Sequence, residues 1–496
     1  MNLLAGLLIL LCLIGSELIG ARVAEDWIHR SLAVFLTAAL VPATAFFQTT
    51  ALLYKMQREN FSYAAKRSLC QRMTISHSLV WLSASCAIIW ALRWQDIVRG
   101  NWQLDQWPLV DDLLILTPAI VSMVASWAVF YELQVAVLGP LRIGSGFDDP
   151  AVETAMSSVR EFFRRLGNGL SQWLRQSSPR WEFVSIRFRV YFLMMLVPVC
   201  AVVLCRDLAR TVTNWPEPVA AAVTIIGLAV IVLAFPFAML VVWKNGPIVD
   251  SELRHQLWDV CNANRLRVLD IRTWHTGHQV VNAAVAGFFP WLRVIFLSDR
   301  LLQQFTPAEI QAVMRHEAGH IRRGHIPIRL FFIATPLMLL ASQNWLVADG
   351  RQHNFQVLLG ELNWTLSVDP LTVSVLIMEL IGLLLTNRWL SHQIEFDADL
   401  YAIQSDYLPG DHPSSRPICC DRAKAMSDAL LRLAELSPAD WARATLLHPS
   451  LQRRVEFIRL VQSDASAGNR FRHSLRMQQI GLAIGWSILT GITLLI

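Results

Sequence analysis

Charge is what this sequence has least of. Only 16% of its 496 residues are Asp, Glu, Lys or Arg, where a soluble globular protein carries about 25%. With 54% hydrophobic residues and a mean hydropathy of +0.41, that shortage argues against a soluble chain and for a membrane protein. The eight cysteines are scattered, with Cys12, Cys86, Cys200 and Cys205 within or beside apolar runs, which excludes a disulfide framework. Adjacent Cys419 and Cys420 lack zinc-type spacing. No internal repeat or low-complexity run stands out, so neither a solenoid nor a disordered tail is expected. The net charge is +5, but no basic stripe interleaves with stacking aromatics, so nucleic acid is not an expected partner.

What is present in quantity is apolar runs of about 20 residues, the length that crosses about 30 Å of hydrocarbon as a helix. Nine are read, at about Leu3 to Gly20, Leu32 to Tyr54, Ile75 to Leu92, Leu113 to Leu133, Arg187 to Leu204, Val219 to Trp243, Ile328 to Leu346, Leu371 to Leu390 and Ile480 to Ile496. The first has no basic residue ahead of it and no small-residue cleavage pattern behind it, so it is expected to be retained as a span. Lys55, Arg58, Lys66, Arg67 and Arg72 face a single acid, Glu59, in the loop after the second run, whereas the loop from Arg93 to Asp112 has two Arg and four Asp. The basic loop is expected on the cytoplasmic side. The segment "EFFRRLGNGLSQWLRQ" reads as a basic amphipathic helix lying against anionic lipid.

The expected organisation is a multi-span region at 1–243 with a basic loop at 138–186, and a catalytic segment at 244–327. A transmembrane hairpin at 328–390, a second catalytic segment at 391–478 and a final span at 479–496 complete it. The chemistry is concentrated in the two catalytic segments. In the first, "ELRHQLWDVCNANRL" has helical spacing, and "RVLDIRTW", "QVVNAAVAG" and "RVIFLSD" read as short strands. The stretch "TPAE" then puts Thr306 at an N-cap, Pro307 at the first helical position and Glu309 where a capping box needs a carboxylate. "HEAGH" is therefore on a helix.

On that helix His316 and His320 are one turn apart, with Cβ atoms about 5–6 Å from each other, so two imidazoles can grip one zinc ion. Glu317 is rotated about 100° from His316, where a general base for a metal-activated water must stand. A solvated, histidine-rich helix is the bland alternative, with His325 nearby. A catalytic zinc needs a third protein ligand, and "LSHQIEFDADLYA" offers Glu395 and Asp399 on one side of a helix. Glu395 is assigned to the metal, and Asp399 to orienting a ligand imidazole through its other ring nitrogen. The alternative is a pair of acids on a wet helix face. Two membrane crossings separate the two helices in sequence, so both emerge at the same face of the bilayer.

The stretches "NAAVAGFFPWLRVIFLSDRLLQQFTPAEIQAVMRHEAGHIRRGH", "SHQIEFDADLYA" and "LHPSLQRRVEFI", in that order, resemble the HtpX and CAAX prenyl endopeptidase family of integral-membrane zinc metallopeptidases, of the gluzincin group. The resemblance runs from about Lys244 to Leu460. It implies one Zn2+ per chain held by His316, His320 and Glu395, with Glu317 as general base and Asp399 supporting a ligand. It also implies that Asn282 lines the substrate cleft and that His448 or Arg453 helps hold the site or the transition-state oxyanion, with a helix-capping His448 and a structural Arg453 as alternatives. Arg315 departs from the small residue usual before the first ligand, and His392 from the arginine common ahead of the glutamate helix.

The expected fold is mainly α: a polytopic membrane helical protein with a small α+β gluzincin-type zinc peptidase domain at the cytoplasmic face. The expected function is hydrolysis of peptide bonds in membrane or membrane-proximal proteins, in protein quality control. Its partners would be a peptide or protein substrate and the lipid bilayer, with nothing specifying an oligomeric state. The expected location is a bacterial plasma (inner) membrane. The alternatives are a sensor protease cleaving a cytoplasmic repressor and a catalytically silent membrane scaffold. The sensor reading is disfavoured because the longest outside loops, of about 20 residues, are too short for an independent core.

Overall fold

The computed structural model describes residues 22–138, 179–204, 236–329, 355–356, 365–366, 370–405, 417–436 and 441–495, less isolated positions, with a few further positions between 226 and 233. The runs read at Leu3 to Gly20, Val219 to Trp243 and Ile328 to Leu346, and the basic segment 161–176, lie wholly or partly outside these residues. The chain divides into two compact units. The first is Met1–Pro247, Asp270–Asn282 and Leu292–Arg300; the second is Ile248–Leu269, Ala283–Trp291 and Leu301–Ile496.

The first unit is a bundle of helices α1 (Trp27–Arg58), α2 (Tyr63–Cys86), α3 (Val110–Leu138) and α4 (Pro179–Arg187). Among the described residues three helices are long and apolar enough to cross a membrane, Trp27–Arg58, Ala65–Ala91 and Val110–Val137. They fall on the runs read at Leu32 to Tyr54, Ile75 to Leu92 and Leu113 to Leu133. α1 buries Val34, Val41 and Ala45 in a core shared with Trp81, Ile115, Met123, Trp127 and Phe192, while Phe35, Leu36, Leu40, Phe46 and Phe47 stay exposed. A helix apolar all round suits a lipid solvent on its outer face. In the loop carrying two Arg and four Asp, both arginines are paired: Arg93 with Asp96 at 2.6 Å, and Arg99 with Asp111 and Asp112 at 2.6 and 2.8 Å.

Four strands follow: β1 (Asn245–Pro247), β2 (Asp270–Trp274), β3 (Ala283–Ala286) and β4 (Val294–Ser298). In the first unit β1 runs antiparallel to β2, and β2 parallel to β4 with Asp270 opposite Val294 and Trp274 opposite Ser298. Every residue of β4 is buried, which is why its sequence is a continuous apolar run rather than an alternating one. Trp243 stacks on Trp274 with ring centroids 4.0 Å apart.

The second unit contains α5 (Ser251–Ala263), α6 (Asp299–Gln304, shared with the first unit at its start), α7 (Pro307–Arg322), α8 (Pro370–Ile403), α9 (Cys420–Leu436), α10 (Leu451–Ser463) and α11 (Ala467–Leu495). The runs read at Leu371 to Leu390 and Ile480 to Ile496 form parts of α8 and α11. α7 is the hub, packed by α5, β3, α8 and α9. Its core joins Ala312 to Leu400 and Ile403 of α8, Met426 and Leu430 of α9, and Val455 and Ile458 of α10. The fold is mainly α, with membrane-length helices toward its N-terminus and a small sheet, as the sequence implied.

Candidate metal centre

α7 starts as its sequence dictates. The Thr306 side chain accepts from the Glu309 backbone N–H, and the Glu309 carboxylate accepts from that of Thr306 at 2.7 Å, closing a capping box. The apolar positions Ile310, Ala312 and Met314 face the core, so the turn carrying His316 to His320 is pressed against α8. Gly319 makes that approach close: a Cβ there would meet Ala398 Cα at 3.0 Å and Tyr401 Cβ at 3.1 Å. The Tyr401 hydroxyl donates to Asn264 Oδ1 at 3.0 Å, fixing α8 to the end of α5.

The close approach brings together the three residues picked out as ligands. His316 Nε2 and His320 Nε2 are 3.2 Å apart, and the two Glu395 oxygens lie 3.6 Å from one or the other. One donor atom from each of the three lies within 4.8 Å of the others. Ligands at about 2.0–2.1 Å around a tetrahedral ion stand about 3.3 Å from each other, so this donor set fits a zinc-sized cation. His316 and Glu395 are buried.

Asp399 is fully buried. It takes His316 Nδ1 at 2.9 Å, which leaves that ring's Nε2 for the cluster. Arg454 then holds Asp399 with Nε at 2.8 Å and Nη2 at 2.6 Å, and its Nη1 reaches Glu395 Oε2 at 3.4 Å. Burial opposes ionisation of Asp399 and Glu395. The Arg454 charge on Asp399, and for Glu395 the His316 and His448 hydrogen bonds backed by Arg454, outweigh it and hold both carboxyls below their ordinary range. Burial also lowers His316, but its Asp399 and Glu395 partners push it up to about 9. The cluster thus favours positive charge at its centre, the charge a divalent ion supplies. Glu317 stands within electrostatic reach of His316, Glu395, Arg454 and His448, and burial pushes its carboxyl up.

His448 is more than half exposed, and its Nδ1 lies 3.2 Å from Glu395 Oε2. The turn that carries it is closed by Thr445, whose hydroxyl accepts from the His448 backbone N–H at 2.9 Å. His392 holds the same turn, its ring Nε2 donating to the Thr445 carbonyl at 2.9 Å. One residue that departs from the family pattern therefore supports the loop beside the cluster. The other, Arg315, is half-buried and donates to Gln311 Oε1 at 3.3 Å.

Two of the residues named in the sequence are not brought to the cluster. Arg453 is exposed, its backbone N–H capped by Ser450; the neighbouring Arg454 is the arginine that reaches the carboxylates. Asn282 belongs to the first unit, where its backbone exchanges hydrogen bonds with Ser298. Arg454 and Asp397, which no motif singles out, and His325, which the sequence offers only as a neighbour of a histidine-rich helix, also contact the cluster or its supports. The helical spacing of the buried residues Leu451, Arg454, Val455 and Ile458 was a signal for the first.

The cluster and its supports all fall within a segment that has known relatives. Residues 271–461 match the model of Peptidase family M48. The match agrees with the resemblance to the HtpX and CAAX prenyl endopeptidases. Among solved structures, the crystal structure of S. mikatae Ste24p is similar at 14% identity and a TM-score of 0.39, covering 88% of this chain and 100% of that one. No curated protein matches the sequence. The chain thus pairs membrane-length helices with a segment that matches the M48 peptidase model, and within that segment His316, His320 and Glu395 could hold a metal ion.

Proposed function

We propose that the protein is a membrane-embedded zinc metalloendopeptidase that hydrolyses peptide bonds of membrane or membrane-proximal proteins, in protein quality control. The observation that carries this reading is the convergence of His316, His320 and Glu395 from two helices, with Glu317 beside them. His316, His320 and Glu395 would hold the zinc, which when bound polarises a scissile carbonyl and acidifies water. Glu317 accepts the proton of the attacking water and returns it to the leaving amine. Burial raises its pKa, which makes the carboxylate a stronger base for that exchange. Asp399 fixes the His316 ring, and Arg454 keeps Asp399 ionised.

His448, exposed at the edge of the cluster, would meet substrate. β3 packs against α7, and an extended substrate would be held beside it by strand addition. The reading includes the domain boundaries drawn from the sequence, a bacterial inner membrane, and a site on the cytoplasmic side, where the basic loop between α1 and α2 points.

The test is Glu317→Gln in the full-length, detergent-purified protein. Zinc content should stay near one ion per chain while proteolysis falls by at least a hundredfold, because the donors survive and the base does not. Comparative proteomics of membranes carrying the two forms would name the uncleaved substrates. Retained cleavage by the variant would remove Glu317 from its role.

A further inference from the structure

The two histidines of the cluster are supported differently, and only one support was legible in the sequence. His316 has Asp399 at its Nδ1. The Nδ1 of His320 lies 2.9 Å from the Nδ1 of His325, and the other nitrogen of His325, Nε2, lies 3.1 Å from Asp397 Oδ2. His325 and Asp397 are both buried. α7 ends at Arg322, and Gly324 adopts φ +69° just beyond it, a left-handed turn that glycine takes without a Cβ penalty. That turn folds the His325 ring back onto the ring of His320, five residues earlier. Asp397 comes from α8, and Arg323 Nε stands 3.8 Å from the same carboxylate oxygen.

Hydrogen-bond logic fixes the protons. An ionised carboxylate only accepts, so His325 donates from Nε2 to Asp397. Neutral His325 then has a lone pair at Nδ1, and the short contact there requires His320 to donate from its own Nδ1. His320 Nε2 is left with a free lone pair facing His316 and Glu395. The reverse arrangement would set a lone pair of His325 against the carboxylate at 3.1 Å, and would put a proton on the nitrogen of His320 that faces the cluster.

We propose that His325, itself held by Asp397, is a positioning residue for His320, fixing its ring orientation and Nδ1-protonated tautomer so that Nε2 is ready to bind a metal ion. The inference rests on reading His316, His320 and Glu395 as metal ligands. Asp397 and His325 do for His320 what Arg454 and Asp399 do for His316, with a neutral imidazole in place of the carboxylate. Asp397 is offset by about 200° around α8 from Glu395, so it supports the centre from the far side of the α7 turn.

The experiment measures zinc dissociation constants for the full-length protein in detergent, by competition with a chromogenic chelator, together with the visible spectrum of the cobalt-loaded form. His325→Phe keeps a ring but offers no acceptor; zinc affinity should fall by about 10–100-fold, with a shifted cobalt spectrum. His325→Gln supplies a carbonyl oxygen to His320 and an amide N–H to Asp397, and should stay within about threefold of the parent. Asp397→Ala, which frees His325 to reverse its donor and acceptor, should fall between the two and decides the matter if His325→Phe does not fold. Parent-like affinity in a folded His325→Phe or in Asp397→Ala would overturn the proposal. So would a His325→Gln protein as weak as His325→Phe, since that is what a purely packing role predicts. A parent protein that binds no zinc at all would instead overturn the ligand assignment itself, and this inference with it.

Discussion

Arg454 and Asp399 meet through two parallel hydrogen bonds, Nε to Oδ2 at 2.8 Å and Nη2 to Oδ1 at 2.6 Å, with both side chains buried. Neither partner could stand there alone, because a buried charge without its counterion costs several kcal/mol. The pair also links α10 to α8 and, through Asp399, to His316 on α7. Arg454→Ala should therefore destabilise the second unit by about 3–5 kcal/mol, read as a lower thermal midpoint by circular dichroism. Arg454→Lys keeps the charge but loses the fork that matches a carboxylate, and should recover only part of the loss. A midpoint unchanged in Arg454→Ala would mean that Asp399 is neutral or finds another donor.

Gly319 governs how close the two ligand helices come. A methyl group at that position would press on Ala398 Cα, Tyr401 Cβ and the Ala398 carbonyl at 3.0, 3.1 and 3.2 Å, and two of those three are backbone atoms that cannot rotate away. Gly319→Ala should cost about 1–3 kcal/mol by overpacking and move His320 relative to Glu395. The measurement is zinc affinity beside thermal stability. Ala398→Gly in the same chain should restore little, because the Cα and carbonyl contacts remain. A Gly319→Ala protein of full stability and affinity would show that the helices have slack between them.

Local rules made much of this legible. The capping box at Thr306 and Glu309, the i,i+4 histidines, and the i,i+4 acids Glu395 and Asp399 each follow from one stretch of chain and one periodicity. Three membrane-length helices followed from apolar runs alone. What escaped depends on contacts between stretches far apart in sequence. Arg453 and Arg454 are adjacent and chemically identical, and only the packing of α10, which buries Leu451, Arg454, Val455 and Ile458 on one face, decides which one reaches Asp399. Asp397 has no local motif to mark it, because its partner His325 is 72 residues away, beyond a turn that one glycine sets. The role of Gly319 was likewise invisible until Ala398 stood opposite it.

Cys261 gives a pH prediction away from the metal centre. It is fully buried on α5, and burial pushes its thiol up to about 12, against about 8.5 for a free thiol. At pH 8 only about one folded molecule in ten thousand then carries the reactive thiolate. Iodoacetamide should label exposed Cys420 while sparing Cys261 until the protein is unfolded. The same shift sets a sign for stability. The group's pKa is higher folded than unfolded, so its contribution is fully present below pH 8.5 and is lost as the pH rises toward 12. By pH 10 the loss should be about 2 kcal/mol. Other groups titrate in that window, so the informative quantity is the difference between the parent and Cys261→Ala. The cavity left by alanine is a constant offset, whereas the thiol term depends on pH, and the gap between the two melting curves should narrow from pH 8 to pH 10. A gap that stays constant would mean that the Cys261 thiolate is as well accommodated in the fold as in water.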